Sequence, residues 1–401
     1  MTVVVIGAGQ AGLAVSRELG VRGVEHLVLE AQRVASSWRG RWDSFTLVTP
    51  NWTLDLPGSP WDGPDPDGHL GRDGIVEYFE RYAAGHAGPI REGVRVGRLL
   101  AGEHGRLRVS TDDGSIDASA VIVCTGAYQR PHRPAVAGQF PDSVQVLDSA
   151  NYTNPHGLTD GTVLVVGSGQ TGVQLAEELH RAGRRVVLAC GRAPWLPRCI
   201  DGVDVVTWLK RVGWFDQPRS VLPTPLDRLA ANVQLTGARG GHDLHFRVLQ
   251  QLGVRLTGRL AGVSDGFVRF ADDLAESVAF GDARYHDLRS LLMDKLGDRS
   301  PLLPEPVPFR LDPMPEVALA DLAGVIFTAG FRPDYTSWVD FPVFDDLGFP
   351  VVGSDLSTAI PGLFFCGVHF LRTRGSSLIF GVGRDAARVA TTIAARRAGT
   401  R

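Results

Sequence analysis

Val3-Val4-Val5-Ile6-Gly7-Ala8-Gly9-Gln10-Ala11-Gly12 opens the chain, and a helix-like run over residues 13–19 follows directly. A β-branched strand that ends in three spaced glycines and enters a helix suits the pyrophosphate of a dinucleotide. The backbone must approach that group closely, and the helix N-terminus must face it. Gly7 then makes the tight turn, Gly9 removes a side chain that would collide with the phosphates, and Gly12 lets the helix pack on the strand, with Gln10 and Ala11 at the helix start. The next apolar strand, His26-Leu27-Val28-Leu29, ends at Glu30, 18 positions after Gly12. A carboxylate there accepts hydrogen bonds from a ribose diol.

Further along, Val163-Leu164-Val165-Val166-Gly167-Ser168-Gly169-Gln170-Thr171-Gly172 repeats the motif, again with a helix-like run behind it. Two such units in one chain predict an α/β fold with two Rossmann-like dinucleotide-binding domains, one for a flavin and one for a nicotinamide. In the second unit the strand Arg185-Val186-Val187-Leu188-Ala189-Cys190 ends in Gly191-Arg192, where the first has an acid. A guanidinium pairs with a ribose 2′-phosphate that a carboxylate would repel. One charge-assisted hydrogen bond contributes about 1.5–3 kcal/mol, so this exchange favours NADPH over NADH by roughly ten- to a hundredfold. Arg198 is a second candidate for the same phosphate; for both arginines the alternative is a solvated surface side chain.

The remaining chain reads as support for these two units. Residues 35–52 interleave aromatics with arginines, including Trp38 and Arg39, either to wrap a flavin and its phosphates or to seal a core. Residues 56–74 read as exposed loop, 75–84 as an amphipathic helix, and 94–100, 107–111 and 120–124 as strands. The last strand runs into Thr125-Gly126 and the proline-rich Arg130-Pro131-His132-Arg133-Pro134, a crossover out of the first domain. Residues 201–215 suggest a tryptophan-rich helix, 254–260 and 266–270 strands, and 274–296 helical patterning in more than one piece. A second strand-to-glycine crossover, through Thr328-Ala329-Gly330, returns the chain to the first domain. There Arg374-Gly375-Ser376 precedes a terminal helix, whose N-terminus can stabilise negative charge on a reduced flavin. The expected organisation is an FAD domain from 1–155 and 319–401 with an NADPH domain inserted at 156–318.

Composition narrows the function classes. The chain has 401 residues, 44% hydrophobic and 21% charged, enough for two domains with real cores. A net charge of −3 offers no footprint for nucleic acid or an anionic membrane. No segment reaches the roughly 18 uninterrupted apolar residues of a membrane span. With the nucleotide motif starting at the third residue, no signal peptide is expected and a cytoplasmic location is. The four cysteines form no Cys-x-x-Cys pair, which argues against a dithiol relay, a disulfide framework or a structural zinc site. His242 and His245 flank Asp243 without a third ligand at a recognisable spacing, so no metal is expected.

Taken together, Gly7 to Gly12, Ser37-Trp38-Arg39, Thr125-Gly126, Gly167 to Gly172, Gly191-Arg192, Thr328-Ala329-Gly330-Phe331-Arg332-Pro333 and Arg374-Gly375-Ser376 resemble the class B flavoprotein monooxygenases of the flavin-containing monooxygenase type, in particular their short bacterial branch. The resemblance implies bound FAD, hydride delivery from NADPH, and capture of O2 at flavin C4a as a hydroperoxide that oxygenates a small organic substrate. Members often place an asparagine beside the flavin edge, and Asn51 resembles it; the other reading of Asn51 is a turn residue. The family's linker signature is altered here, with Asp148 at the histidine position, Val144 at the glycine position and Phe140 out of register, while Ser149 and Tyr152 are kept. A terminal tyrosine in that signature implies oxidation at nitrogen or sulfur more than Baeyer-Villiger chemistry at a ketone. A flavin oxidase or dehydrogenase without oxygen insertion, a non-catalytic redox sensor, and a homodimeric assembly all stay open at this level.

Overall fold

The computed structural model describes residues 2–399. The β-branched runs pair as parallel strands in two separate sheets, each five strands wide. The first sheet runs Leu363–Phe365, Ala120–Val123, Val3–Ile6, Leu27–Glu30, Ile90–Glu92, parallel throughout. The second runs Arg255–Thr257, Arg185–Ala189, Thr162–Val166, Leu322–Phe327, Gln145–Asp148, also parallel throughout. In both, the strand that leads into the glycine turn lies at the centre, buried on both faces as a doubly wound sheet requires. Helix Gln10–Val21 follows the first turn and packs against the terminal helix Ile379–Gly399. Helix Gln170–Arg181 follows the second turn.

Sheet membership places the inserted unit differently from the expected limits of 156–318. Strands Gln145–Asp148 and Leu322–Phe327 lie outside those limits, yet both pair in the second sheet. By sheet pairing, the insertion runs from about residue 145 to 327. Positions 1, 400 and 401 of the expected domain limits fall outside the described residues. The two connections between domains lie side by side, with Arg130–Pro131 antiparallel to Phe331–Arg332. Buried Tyr335 donates its hydroxyl to the Gly126 carbonyl at 2.6 Å, and the Gln129 amide donates to the same oxygen at 2.8 Å. This polar clamp secures the double connection.

Other local readings change for identifiable reasons. Residues 274–296 form one helix, Leu274–Leu296; Gly281 sits within it because a Cβ there would lie 2.8 Å from the Trp195 ring. Residues 254–260 divide between Arg255–Thr257 of the second sheet and Leu260–Ser264 of a small antiparallel sheet. The break falls at Gly258, where a Cβ would meet the Ala271 carbonyl oxygen at 1.8 Å. The segment read as exposed loop is partly anchored: Leu56 is buried, and the Tyr78 hydroxyl accepts from its N–H at 3.0 Å and donates to the Ser59 carbonyl at 2.9 Å.

Candidate dinucleotide sites

The first turn has the form its glycines predict. Gly7 adopts φ +101°, and a Cβ at Gly12 would lie 1.8 Å from the Gly7 carbonyl oxygen, so helix and turn are in direct contact. A Cβ at Gly9 would meet nothing within 4 Å; the cradle is open on that side. Glu30 is buried at the tip of the neighbouring strand, accepting from the Ala8 N–H at 2.8 Å and the Gln32 N–H at 3.0 Å. Gln10 accepts from the Trp38 indole at 3.3 Å and donates to the Ser377 carbonyl at 3.1 Å, drawing the aromatic loop and the terminal helix to the same place. Ser376 is buried there, its hydroxyl oxygen accepting from the Arg372 and Thr373 N–H groups. These residues fit FAD: an open glycine face, a helix start and a buried carboxylate at the tip of the adjacent strand.

Arg39 does not join them. Its guanidinium pairs with Glu80 on helix Arg72–His86 and donates to the Val34 carbonyl. Asn51 is nearby in sequence and held by the loop beside it: its carboxamide oxygen accepts from the Leu70 N–H at 2.7 Å and one amide N–H donates to the Asp65 carbonyl at 2.9 Å. At 3% exposure it clamps the 65–70 loop, the turn-forming reading of the two.

The second turn repeats the geometry. Gly167 has φ +105°, and a Cβ at Gly172 would lie 1.9 Å from its carbonyl oxygen. The Thr328 hydroxyl, 2.7 Å from that same oxygen, braces the turn from the second crossover. Ser168, a residue without a sequence signal, exchanges hydrogen bonds with the Gly191 backbone at 2.9 and 3.0 Å and so fixes the place from which Arg192 projects. Arg192 is exposed and, among the described residues, makes no hydrogen bond or ion pair. Arg198 corrects the sequence reading. It is 3% exposed, ion-paired with Asp204, and donates to the Val48 and Thr236 carbonyls, so four of its five N–H donors are committed within the protein.

One feature distinguishes the cradles. Where Gly9 faces open space, a Cβ at Gly169 would lie 3.2 Å from the Ala231 methyl. Ala231 belongs to a strap over residues 230–236, tied down by three glutamines. Gln170 donates to the Val233 carbonyl at 3.2 Å, Gln174 to the Leu235 carbonyl at 2.8 Å, and Gln234 to the Ser168 carbonyl at 2.7 Å. Gly167, Gly172, the helix start at Gln170 and Thr171, and the free Arg192 fit a phosphorylated nicotinamide dinucleotide once the strap withdraws from Gly169.

Gly126 and Gly330 have φ of +67° and +85° and hold the crossovers; the Gly330 carbonyl accepts from the His132 N–H at 2.9 Å, and Thr125 accepts from Gln129. Asp148 of the altered linker signature is held in a bidentate pair by Arg133 at 2.7 and 2.9 Å. His242 bonds Glu177 at 2.9 Å, and His245 packs on Trp195; among the described residues no cluster of metal-ligating side chains forms. No described helix is long and apolar enough to cross a membrane.

Two glycine cradles in two parallel sheets, joined by a double connection, define the class of two-dinucleotide flavoprotein oxidoreductases. The chain belongs to the pyridine nucleotide-disulphide oxidoreductase family, whose model matches residues 4–211. It is 29% identical over 398 residues to a CzcO-like oxidoreductase of Geobacillus kaustophilus, covering 96% of this chain and 95% of that one. An indole-3-pyruvate monooxygenase of Oryza sativa subsp. japonica is 32% identical over 186 residues, 45% of this chain and 46% of its own length. A flavin-containing monooxygenase from Stenotrophomonas maltophilia superposes with a TM-score of 0.70 at 21% identity, covering 98% of each chain. The protein is an oxidoreductase that uses FAD and NADPH.

Proposed function

We propose that the protein is a monooxygenase that uses NADPH and O2 to oxygenate a small organic substrate, at nitrogen or sulfur in preference to a ketone. The observation that carries this reading is the pairing of two glycine cradles with the crossover residues and the Ser149 and Tyr152 of the flavin-containing monooxygenase pattern, without an exposed dithiol pair. Cys190 is buried alone and Cys199 lies exposed on a different element; Cys124 and Cys366 touch each other across neighbouring strands but are buried, out of reach of a disulfide substrate. FAD, when bound, accepts hydride from NADPH and activates O2. The chain's own part is positional. Gly7 to Gly12 and Glu30 would hold the flavin nucleotide, Gly167 to Gly172 and Arg192 would hold NADPH, and the helix start beyond Ser376 would lend its positive dipole to negative charge on the reduced flavin. Asp148, locked to Arg133, acts as a structural tie where the family pattern has a histidine.

The test is turnover of the flavin-loaded enzyme under 18O2 with an amine and a thioether panel. One labelled oxygen atom in the product supports oxygenation. NADPH oxidation with hydrogen peroxide as the sole oxygen product across the panel supports the oxidase reading instead, and no NADPH consumption at all supports the sensor.

A further inference from the structure

Arg41 lies in the aromatic loop beside the first cradle, and its guanidinium has no partner. The residue is half-buried, and its Nε is closed off from solvent without a hydrogen bond. Arg184 and Arg228 share that enclosure at Nε, but their terminal nitrogens are engaged, Arg184 with the Leu158 carbonyl and Arg228 with Asp345 and the His369 carbonyl. Arg374, read from the sequence as a cofactor residue, meets the Gln217 carboxamide oxygen at 3.2 and 3.3 Å and the Trp214 ring at 3.9 Å. The Arg41 side chain makes no hydrogen bond or ion pair among the described residues. The groups that act on it are the Phe45 ring, 5.5 Å from the guanidinium carbon, and the Tyr128 phenol, two residues beyond Gly126 on the first crossover. Burial draws its pKa below the ordinary guanidinium value, with that phenol as the opposing influence. An enclosed charge without a counter-charge is costly, so an anion is its natural complement.

The loop that carries Arg41 is tied to the first glycine turn. The Ala35 N–H donates to the Ala8 carbonyl at 3.3 Å, the Trp38 indole donates to Gln10 at the helix start, and the Arg41 N–H donates to the Trp38 carbonyl at 3.1 Å. The other arginines of this neighbourhood are committed: Arg33 and Arg39 share Glu80, and Arg72 pairs with Asp43 and Asp73. Gly7 to Gly12 contains no charged residue, so the cradle itself offers only backbone N–H groups and the helix dipole, worth about half a positive charge. A dinucleotide diphosphate is doubly anionic, and the buried Glu30 carboxylate on the Ala8 N–H adds negative charge to the same turn. The first cradle is therefore short of positive charge for its ligand, and Arg41 is the uncommitted cation on the loop bound to it.

We propose that Arg41 binds the diphosphate of FAD as the counter-cation that the first cradle lacks. This rests on the first cradle holding the flavin and not on oxygen insertion, so its failure and that of the 18O2 experiment are separate results. The experiment compares the full-length wild type with Arg41→Gln, Arg41→Met and Arg41→Lys, reading FAD affinity from the flavin fluorescence released as the loaded protein is diluted. Arg41→Gln and Arg41→Met should weaken FAD by roughly ten- to a hundredfold, the effect of one charge-assisted hydrogen bond, and Arg41→Lys should retain part of the affinity. The midpoint potential of the bound flavin should be unchanged, because the diphosphate carries the same charge in both redox states. NADP+ titrated into the variants with FAD in excess should bind as to the wild type. Thermal unfolding of the flavin-free chain should give Arg41→Gln and Arg41→Met midpoints at or above the wild type, since each removes an uncompensated charge. Unaltered FAD affinity overturns the proposal. So does a lowered midpoint potential, which would assign Arg41 to the flavin ring, or a loss of NADP+ affinity with FAD retained, which would assign it to the other dinucleotide. A flavin-free midpoint that falls in both neutral variants overturns it as well, since Arg41 would then serve the fold.

Discussion

The two cradles can be broken one at a time, and the structure sets how hard. Replacing Gly172 with alanine places a methyl carbon 1.9 Å from the Gly167 oxygen and 2.8 Å from the Thr328 hydroxyl. Carbon does not approach backbone oxygen closer than 3.0 Å, so the start of helix Gln170–Arg181 must retreat by about 1.1 Å from the turn. Overpacking of this kind costs about 1–3 kcal/mol, and it moves the helix N–H donors off the pyrophosphate. With a charge-assisted hydrogen bond contributing about 1.5–3 kcal/mol, losing one or two weakens NADPH by roughly 10–10⁴-fold. Gly172→Ala should therefore purify with its flavin, show the visible flavin spectrum, and be reduced by dithionite, while stopped-flow reduction by NADPH saturates only at far higher concentration. Gly12→Ala, with its methyl 1.8 Å from the Gly7 oxygen, should do the reverse and lose flavin on desalting. If Gly172→Ala lost flavin as readily as Gly12→Ala, or kept the unaltered NADPH dependence, the assignment of one cofactor to each turn would be refuted.

Arg192→Ala should lower the NADPH over NADH preference by roughly ten- to a hundredfold with NADH kinetics unchanged, as the ratio of the two kcat/KM values would show. Asn51→Ala should destabilise the protein by about 1–3 kcal/mol in urea unfolding, because it leaves the Leu70 N–H and Asp65 carbonyl unpaired. A normal midpoint with a collapsed turnover rate would instead put the carboxamide at the flavin edge. Burial lowers the pKa of His245 and His369 to about 4, below the value near 6.5 they regain when unfolded. The folded state thus binds fewer protons between these values, so this contribution is complete above pH ~6.5 and is lost as pH falls towards 4. Thermal unfolding should show Tm falling over that window, and His245→Phe should flatten the fall.

The legible parts of this molecule are those whose chemistry is local. Gly7 and Gly12, or Gly167 and Gly172, declare themselves because the turn, the close approach and the helix start are properties of a ten-residue stretch. Glu30 ends the strand next to its turn, and Arg192 follows three residues after its strand, so both positions are set by the same local pattern. Arg198 is tied instead to Asp204, six residues on, and to the Val48 and Thr236 carbonyls, 150 and 38 residues away, partners that belong to no motif. Strand Gln145–Asp148 escaped the domain assignment because it is four residues long with two apolar positions, and its partner, Leu322–Phe327, lies some 180 residues on. Gly281 shows the same limit inside a helix: a glycine that looks like a break is the space into which Trp195 packs.

The least legible element, the strap over residues 230–236, bears most on how the two cofactors are handled. Its alanine matters only because it meets Gly169, and its glutamine contacts are with backbone carbonyls that every sequence supplies. Three such hydrogen bonds, at about 0.5–1.5 kcal/mol each, hold the strap down by about 2–4 kcal/mol. If NADPH needs the Gly169 face, its apparent affinity is its intrinsic affinity scaled by the fraction of molecules with the strap withdrawn, so Ala231→Gly should tighten NADPH binding in a titration, and an unchanged affinity would show that the strap does not compete. The first cradle has no such competitor at Gly9. The duplicated motif thus differs in access: one glycine face is open, and the other has a few residues laid against it.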